Sequence, residues 1–164
     1  MEEKKESPRA NEQIPPENFE LLTNALKNLS DRSPDKRKQG IADVEKLTRA
    51  FYEGRQDLEK PVLTFIRSRV IESPVSRFKK GGLLAFGSMC SSVIDHGKEG
   101  IHTIIAATTK AMNDDDSKVR FAACETMYNI LNSCRIKLID EICFILDSII
   151  GVTSAPDNPT IAGH

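Results

Sequence analysis

The chain reads as all-α, a solenoid of about three and a half two-helix repeats, and three features of its 164 residues lead there. Side chains of like character return every forty-one positions: Leu22, Leu63, Ile104 and Ile145; Ala25, Ile66, Ala107 and Ser148; Leu29, Val70, Ala111 and Val152. A fixed period of roughly 20–50 residues marks units that cannot bury their apolar face alone and therefore stack. Helix-start signals recur at nearly the same spacing, at Ser33-Pro34, Ser73-Pro74 and Asp114-Asp-Asp116. Between them the apolar residues keep helical rather than strand period. Val119, Ala122, Ala123, Thr126, Met127, Ile130, Leu131 and Cys134 form one continuous stripe.

Residues 1–16 are polar, close on Pro15-Pro16, and read as a disordered lead-in. The solenoid spans 17–152, with helices expected at 17–29 and 34–52, at 56–71 and 74–95, and at 98–112 and 115–134. A seventh helix, 136–151, has the register of a fourth unit's first helix. Ser33 and Ser73 each set a capping hydroxyl ahead of a proline whose missing N–H costs nothing in the first turn. Asp114 is placed to cap the third unit, with Asp115 and Asp116 complementing the helix dipole. Consecutive aspartates on a helix do not converge as alternate loop ligands do, so the triplet is a helix start, not a metal site. The second helices align as Lys38, Lys79 and Arg120, and as Gly40, Gly81 and Ala122. A glycine inside a helix costs ~1 kcal/mol against alanine, so Gly40, Gly81 and Gly82 read as places of close helix contact. The helix around Leu83, Leu84, Phe86 and Met89 is apolar nearly all round, as a middle repeat requires. From residue 153 the chain reads as a flexible tail. A partner for the seventh helix should begin near 156, where Pro156-Asp-Asn-Pro159 stands instead. The chain is thus expected to end mid-repeat, with Ile142, Ile145, Leu146 and Ile149 needing a cover.

Charge and composition exclude several roles. Twenty-three basic against 24 acidic residues leave no field to draw nucleic acid or anionic lipid. Cys90, Cys124, Cys134 and Cys143 form no CxxC pair and read as reduced, small hydrophobes; a zinc site on the last three with a histidine lacks the usual spacing. Ser88 does not stand in a GxSxG turn, and Gly97-Lys98 follows no phosphate loop. No spacing assembles catalytic chemistry, so the chain is read as a non-enzyme without cofactor or metal. Seven residues are candidates for partner contact or for ties along the stack: Lys38, Arg77, Lys79, Lys80, Asp114, Arg120 and Tyr128. The basic cluster at 77–80 suits either a solvated face or an acidic partner or phosphoinositide. Tyr128 lies off the apolar stripe and is either a partner anchor or a half-buried helix side chain.

The period, the paired helices and the Asp-x5-Arg pattern from Asp114 to Arg120 together resemble HEAT repeats, an armadillo-like helical class. In that class, aspartate and arginine form ladders along the stack. Here Ser73 and Lys79 take those places in the second unit, and Asp31-Arg32 precede Lys38 in the first. The segments KRKQGIADVEKLTRAF, SRFKKGGLLAFGSMCSSVI and NDDDSKVRFAACETMYNIL resemble the N-terminal repeats of the ArPIKfyve family over about residues 19–150. Lys80-Gly-Gly-Leu83 and Ala123-Cys-Glu-x-Met-Tyr-Asn-Ile130 are the most specific pieces. That family supplies scaffolds of the complex that makes and removes phosphatidylinositol 3,5-bisphosphate on endosomes and vacuoles. The resemblance implies a partner in a phosphatidylinositol 3-phosphate 5-kinase and, indirectly, an antagonistic phosphoinositide phosphatase. It implies a cytoplasmic chain, peripheral on the cytosolic face of endosome or vacuole membranes, without the family's oligomerising region. The alternatives are a generic HEAT adaptor in transport or phosphatase assembly, and a nucleic-acid binder using Lys38, Lys79 and Arg120 as a track.

Overall fold

The computed structural model describes residues 12–96 and 98–153, and among these there are seven α-helices and no strand. The helices are α1 (Pro16–Leu29), α2 (Pro34–Tyr52), α3 (Glu59–Glu72), α4 (Ser76–Ile94), α5 (Lys98–Ala111), α6 (Ser117–Cys134) and α7 (Ile142–Thr153). α1 packs on α2, α3 on α4 and α5 on α6, each pair forming one unit. Second helices stack as α2, α4, α6, and first helices as α3, α5, α7, giving the HEAT-like solenoid that the period predicts. The core is one continuous cluster, in which Leu22, Leu63, Ile104 and Ile145 are all buried. Phe19 of α1 meets Phe65 of α3 edge-on at 5.2 Å, tying the first unit to the second.

Several boundaries differ from the sequence reading. Most of the expected N-terminal tail and nearly all of the C-terminal one lie outside the described residues. Within the first, however, Ile14 is buried and belongs to the core cluster. α3 starts at Glu59, after a 3-10 turn over Gln56–Leu58. α7 starts at Ile142 rather than 136, because Arg135, with φ 40, breaks α6 and a 3-10 stretch fills 135–141. Ser33 occupies the N-cap of α2, but its hydroxyl makes no capping bond, and α4 begins only at Ser76 with Val75 as N-cap. The cap of α6 is Asp116, whose carboxylate accepts from Lys118 N at 2.8 Å.

The repeat itself also needs a correction. The forty-one-residue step holds for the first helices, but on the second helices the first step is forty-two. Leu29 to Gly40 is eleven residues, whereas Val70 to Gly82 and Ala111 to Ala123 are twelve. A side chain placed on Gly40 would meet Ala25 O and Leu29 Cγ at 2.8 Å; one on Gly82 would meet Val70 Cγ2 at 2.6 Å and Ile66 O at 3.5 Å. Ala25 and Leu29 stand forty-one before Ile66 and Val70, so Gly40 corresponds to Gly82 and Ala123, not to Gly81 and Ala122. Gly81 instead lies against Leu26 of α1 and Ser30 just after it, and sets the distance between units. The α1–α2 connection is one residue shorter, and every second-helix column shifts with it. We expect Gly40→Ala to lower stability by about 2 kcal/mol, since its Cβ meets backbone that cannot yield. Gly82→Ala, facing mainly a side chain, should cost less; urea midpoints in the reverse order would refute this register.

Candidate functional site

With the register corrected, the residues that open each second helix fall into columns. Asp31, Ser73 and Asp114 each close the same turn: Asp31 Oδ1 accepts from Ser33 N at 2.9 Å, Ser73 Oγ from Val75 N at 3.2 Å, and Asp114 Oδ1 from Asp116 N at 3.0 Å. Side-chain oxygens taking the N–H two residues on are the reason Asp and Ser favour such turns. The next column is Arg37, Lys79 and Arg120. Arg37 Nη1 donates to Asp31 O at 3.0 Å and Arg32 O at 2.7 Å, and Arg120 Nη1 to Asp114 O at 2.8 Å and Asp115 O at 2.9 Å. The counterpart of Arg120 in the first unit is therefore Arg37, and Lys38 falls one place off the ladder.

Lys79, in the middle of that column, reaches forward rather than back. Its Nζ donates to Asp114 Oδ2 of the next unit, and the two side chains retain only 18% and 12% exposure. Ser76 Oγ likewise donates to Asp116 Oδ2, so two bonds fasten the start of α4 to the start of α6. That contact, with the Lys118 N–H next in weight, holds the Asp116 carboxyl below its usual range. The Asp31 carboxyl is also held low, chiefly by the Ser33 N–H and then by Lys36 at 2.9 Å.

The seven candidates thus divide. Lys79, Asp114 and Arg120 spend their polar groups inside the stack. Two of the three cations of the imagined nucleic-acid track are accordingly not presented to solvent as a track. Arg77 is exposed, with its guanidinium 5.0 Å from the Phe78 ring centroid. Lys38 is exposed and Lys80 half-buried, and both belong to an outward column whose third member is Phe121. Phe121 is 72% exposed and shares a shallow depression with Lys80, Lys118 and Glu125. The sequence reading singled out Tyr128 as an aromatic off the stripe but passed over Phe121, which fails the same test.

Tyr128 is 68% exposed for a different reason. Cys124, Tyr128 and Leu131 stand in the columns of Leu83, Gly87 and Cys90, the side on which α4 receives α6. Leu83 and Cys90 are fully buried, whereas Leu131, counted within the apolar stripe, is 37% exposed. Tyr128 therefore marks the stacking side of α6, and Phe121 its outward side. A separate groove of about 920 Å³ lies among the first helices α3 and α5, where Tyr52 stacks on His96 at 3.5 Å and donates to Glu59 Oε2 at 3.1 Å. Burial first, then the Glu59 carboxylate, raises the Tyr52 hydroxyl far above its ordinary value. Cys124 and Cys143 are exposed while Cys134 is buried, and among the described residues no cluster of His, Cys, Asp and Glu is grouped to hold a metal ion. No helix among them is long and apolar enough to cross a membrane.

Comparison with known proteins bears on the same stretch. The family model described as the Vacuolar 14 Fab1-binding region matches residues 77–162, from the first turn of α4 onward. Protein VAC14 homolog of Arabidopsis thaliana is 28% identical over 138 residues, covering 79% of this chain and 19% of its own length. Protein VAC14 homolog of Schizosaccharomyces pombe is 25% identical over 108 residues, covering 64% of this chain and 13% of its own. The chain spans less than a fifth of the length of these relatives. No solved structure matches it.

Proposed function

We propose that this chain, which belongs to the family of the Vacuolar 14 Fab1-binding region, is a non-catalytic scaffold that holds a Fab1-type lipid kinase on its second-helix face. The kinase is read as a phosphatidylinositol 3-phosphate 5-kinase, and the scaffold as supporting phosphatidylinositol 3,5-bisphosphate synthesis, as the resemblance to the ArPIKfyve family implies. On the same resemblance, an antagonistic phosphatase is engaged only through the assembled complex. Attachment to the cytosolic face of endosome or vacuole membranes would likewise be peripheral. The observation that carries the reading is Phe121: a large aromatic 72% exposed on a column otherwise filled by lysine, inside the matched stretch. An exposed aromatic beside cations is the composition of an interface anchor with a polar rim. Lys80 and Lys118 beside it favour an acidic flank on the partner, and Lys38 and Arg77 extend the rim.

Phe121→Ala should cut capture of the kinase by ~30-fold or more, about 2 kcal/mol or above, while leaving the melting temperature within a degree or two. Lys80→Glu should slow association and flatten its dependence on salt, because less attraction is left to screen. Retention of a Fab1-type kinase by the Phe121→Ala chain at wild-type affinity would remove this face from the account. Failure of the unaltered chain to retain any such kinase, with another partner held reproducibly, would favour the generic HEAT adaptor.

A further inference from the structure

The four cysteines, alike in sequence, are of two kinds in the fold. Cys124 and Cys143 are exposed; Cys90 on α4 and Cys134 at the end of α6 are buried at 0% and 2%. The latter two belong to helices packed side by side, and their thiols are within hydrogen-bonding reach of each other. Two further contacts hold that approach. One residue turn before Cys90, a Cβ on Gly87 would lie 3.8 Å from Thr126 Cγ2, so α4 offers α6 no side chain to push it away. Just beyond both thiols, Lys137 Nζ donates to Asp95 Oδ1, joining the segment after α6 to the residue after α4.

We propose that Cys90 and Cys134 form a redox-modification site, a dithiol that a two-electron oxidant such as hydrogen peroxide closes into a disulfide clamping α4 to α6. The two sulfurs are not equivalent. The one Cys90 proton lies between Gly87 O, at 3.2 Å from the sulfur, and Cys134, and the Cys134 contact followed by burial pushes the thiol up. Cys134 accepts, and that bond, aided by the Lys137 charge, pulls its thiol down. Cys134, at the last position of α6, is assigned as the nucleophile, and Cys90, within α4 and fully buried, as the resolving thiol. The Cys134 proton leaves first; the thiolate attacks one peroxide oxygen, the O–O bond breaks, and the departing hydroxide takes that proton as water. Cys134 is then a sulfenic acid. The Cys90 sulfur attacks the Cys134 sulfur, the S–O bond breaks, and hydroxide leaves with the Cys90 proton as the second water. Two thiols and one peroxide yield one disulfide and two waters. Both thiols are buried, so the peroxide enters when the end of α6 loosens, at Cys134 where Arg135 holds φ 40 and ends the helix.

The test uses the whole chain carrying C124S and C143S, which removes the exposed thiols and leaves the pair. Native protein is treated with hydrogen peroxide, alkylated, digested and mapped by mass spectrometry. The expected product is an intrachain link between the Cys90 and Cys134 peptides, reversed by dithiothreitol. The linked chain should melt higher by roughly 10 °C, as expected for closing a loop of this length in a domain of this size. In the same background Cys90→Ser should leave Cys134 trapped as a sulfenic acid that dimedone labels. Thiols that stay fully alkylatable, a link only between molecules, oxidation of Cys134 straight to sulfinic acid with Cys90 present, or a linked chain that melts no higher would each overturn the proposal.

Discussion

Asp114→Ala lowers the stability of the folded chain by about 3 kcal/mol, while Asp115→Ala, one residue on, changes it by less than about 0.5 kcal/mol. The two aspartates are neighbours in sequence and strangers in the fold. Asp114 closes the turn ahead of α6 through Asp116 N and accepts the Lys79 ammonium from the preceding unit, with 12% of its side chain exposed. Removing it leaves Lys79, itself only 18% exposed, without its carboxylate partner across the unit boundary. A nearly buried charge stripped of its partner costs more than the pair ever contributed. The Asp115 side chain is exposed, and the contact that involves this residue is through its backbone carbonyl to Arg120, which alanine keeps. Chemical denaturation of the two variants checks the contrast. A double-mutant cycle with Lys79→Met should return a coupling of about 1.5 kcal/mol, because both single changes act on one bond. Equal losses at Asp114 and Asp115 would mean that the acidic run acts only as diffuse charge at a helix end.

That contrast also shows what could be read in the linear chain and what could not. The acidic run was legible as a helix start, since no other geometry accommodates three successive carboxylates so readily. Which carboxylate caps was not legible, because a two-residue turn precedes the helix and moves the cap from Asp114 to Asp116. The repeat was legible through Leu22, Leu63 and Ile104, whose burial depends on period alone. The second-helix register was missed by one residue, since a shorter connection leaves no composition signal; only the glycine notches, Gly40 on Leu29 and Gly82 on Val70, reveal it. Sequence explains those notches once the pairing is known. Glycine faces Leu29 or Val70 where the first helix is bulky, and Ala123 stands where α5 supplies Ala111. The outward column was half legible. Tyr128 and Phe121 both lie off the stripe, but separating a stacking side from an outward side requires knowing which flank of α4 receives α6.

The largest effect is expected at the middle of the stack. Phe86→Ala should cost about 4 kcal/mol, a large share of the roughly 5–15 kcal/mol that holds a domain of this kind. Phe86 is fully buried on α4, the helix that packs against α1, α2, α3, α5 and α6, so no neighbour can close the void without leaving another contact. Ile145 on α7 is almost as buried, at 2%, yet among the described residues α7 packs mainly on α5 and the 3-10 stretch before it. Ile145→Ala should therefore cost about 2 kcal/mol or less, because an end unit can loosen without dragging the rest. Hydrogen exchange separates the two cases. Phe86→Ala should shorten protection in every helix at once, whereas Ile145→Ala should release α7 and leave α1 to α4 protected. The same asymmetry bears on how a partner could be held. A rod whose units are fastened by Lys79–Asp114 and Ser76–Asp116 keeps Lys80 and Phe121 at a set distance, so the outward column is presented as a fixed template. If Ile145→Ala proved as damaging as Phe86→Ala, stability would be spread evenly along the chain. The middle unit would then lose its claim to hold that template in place.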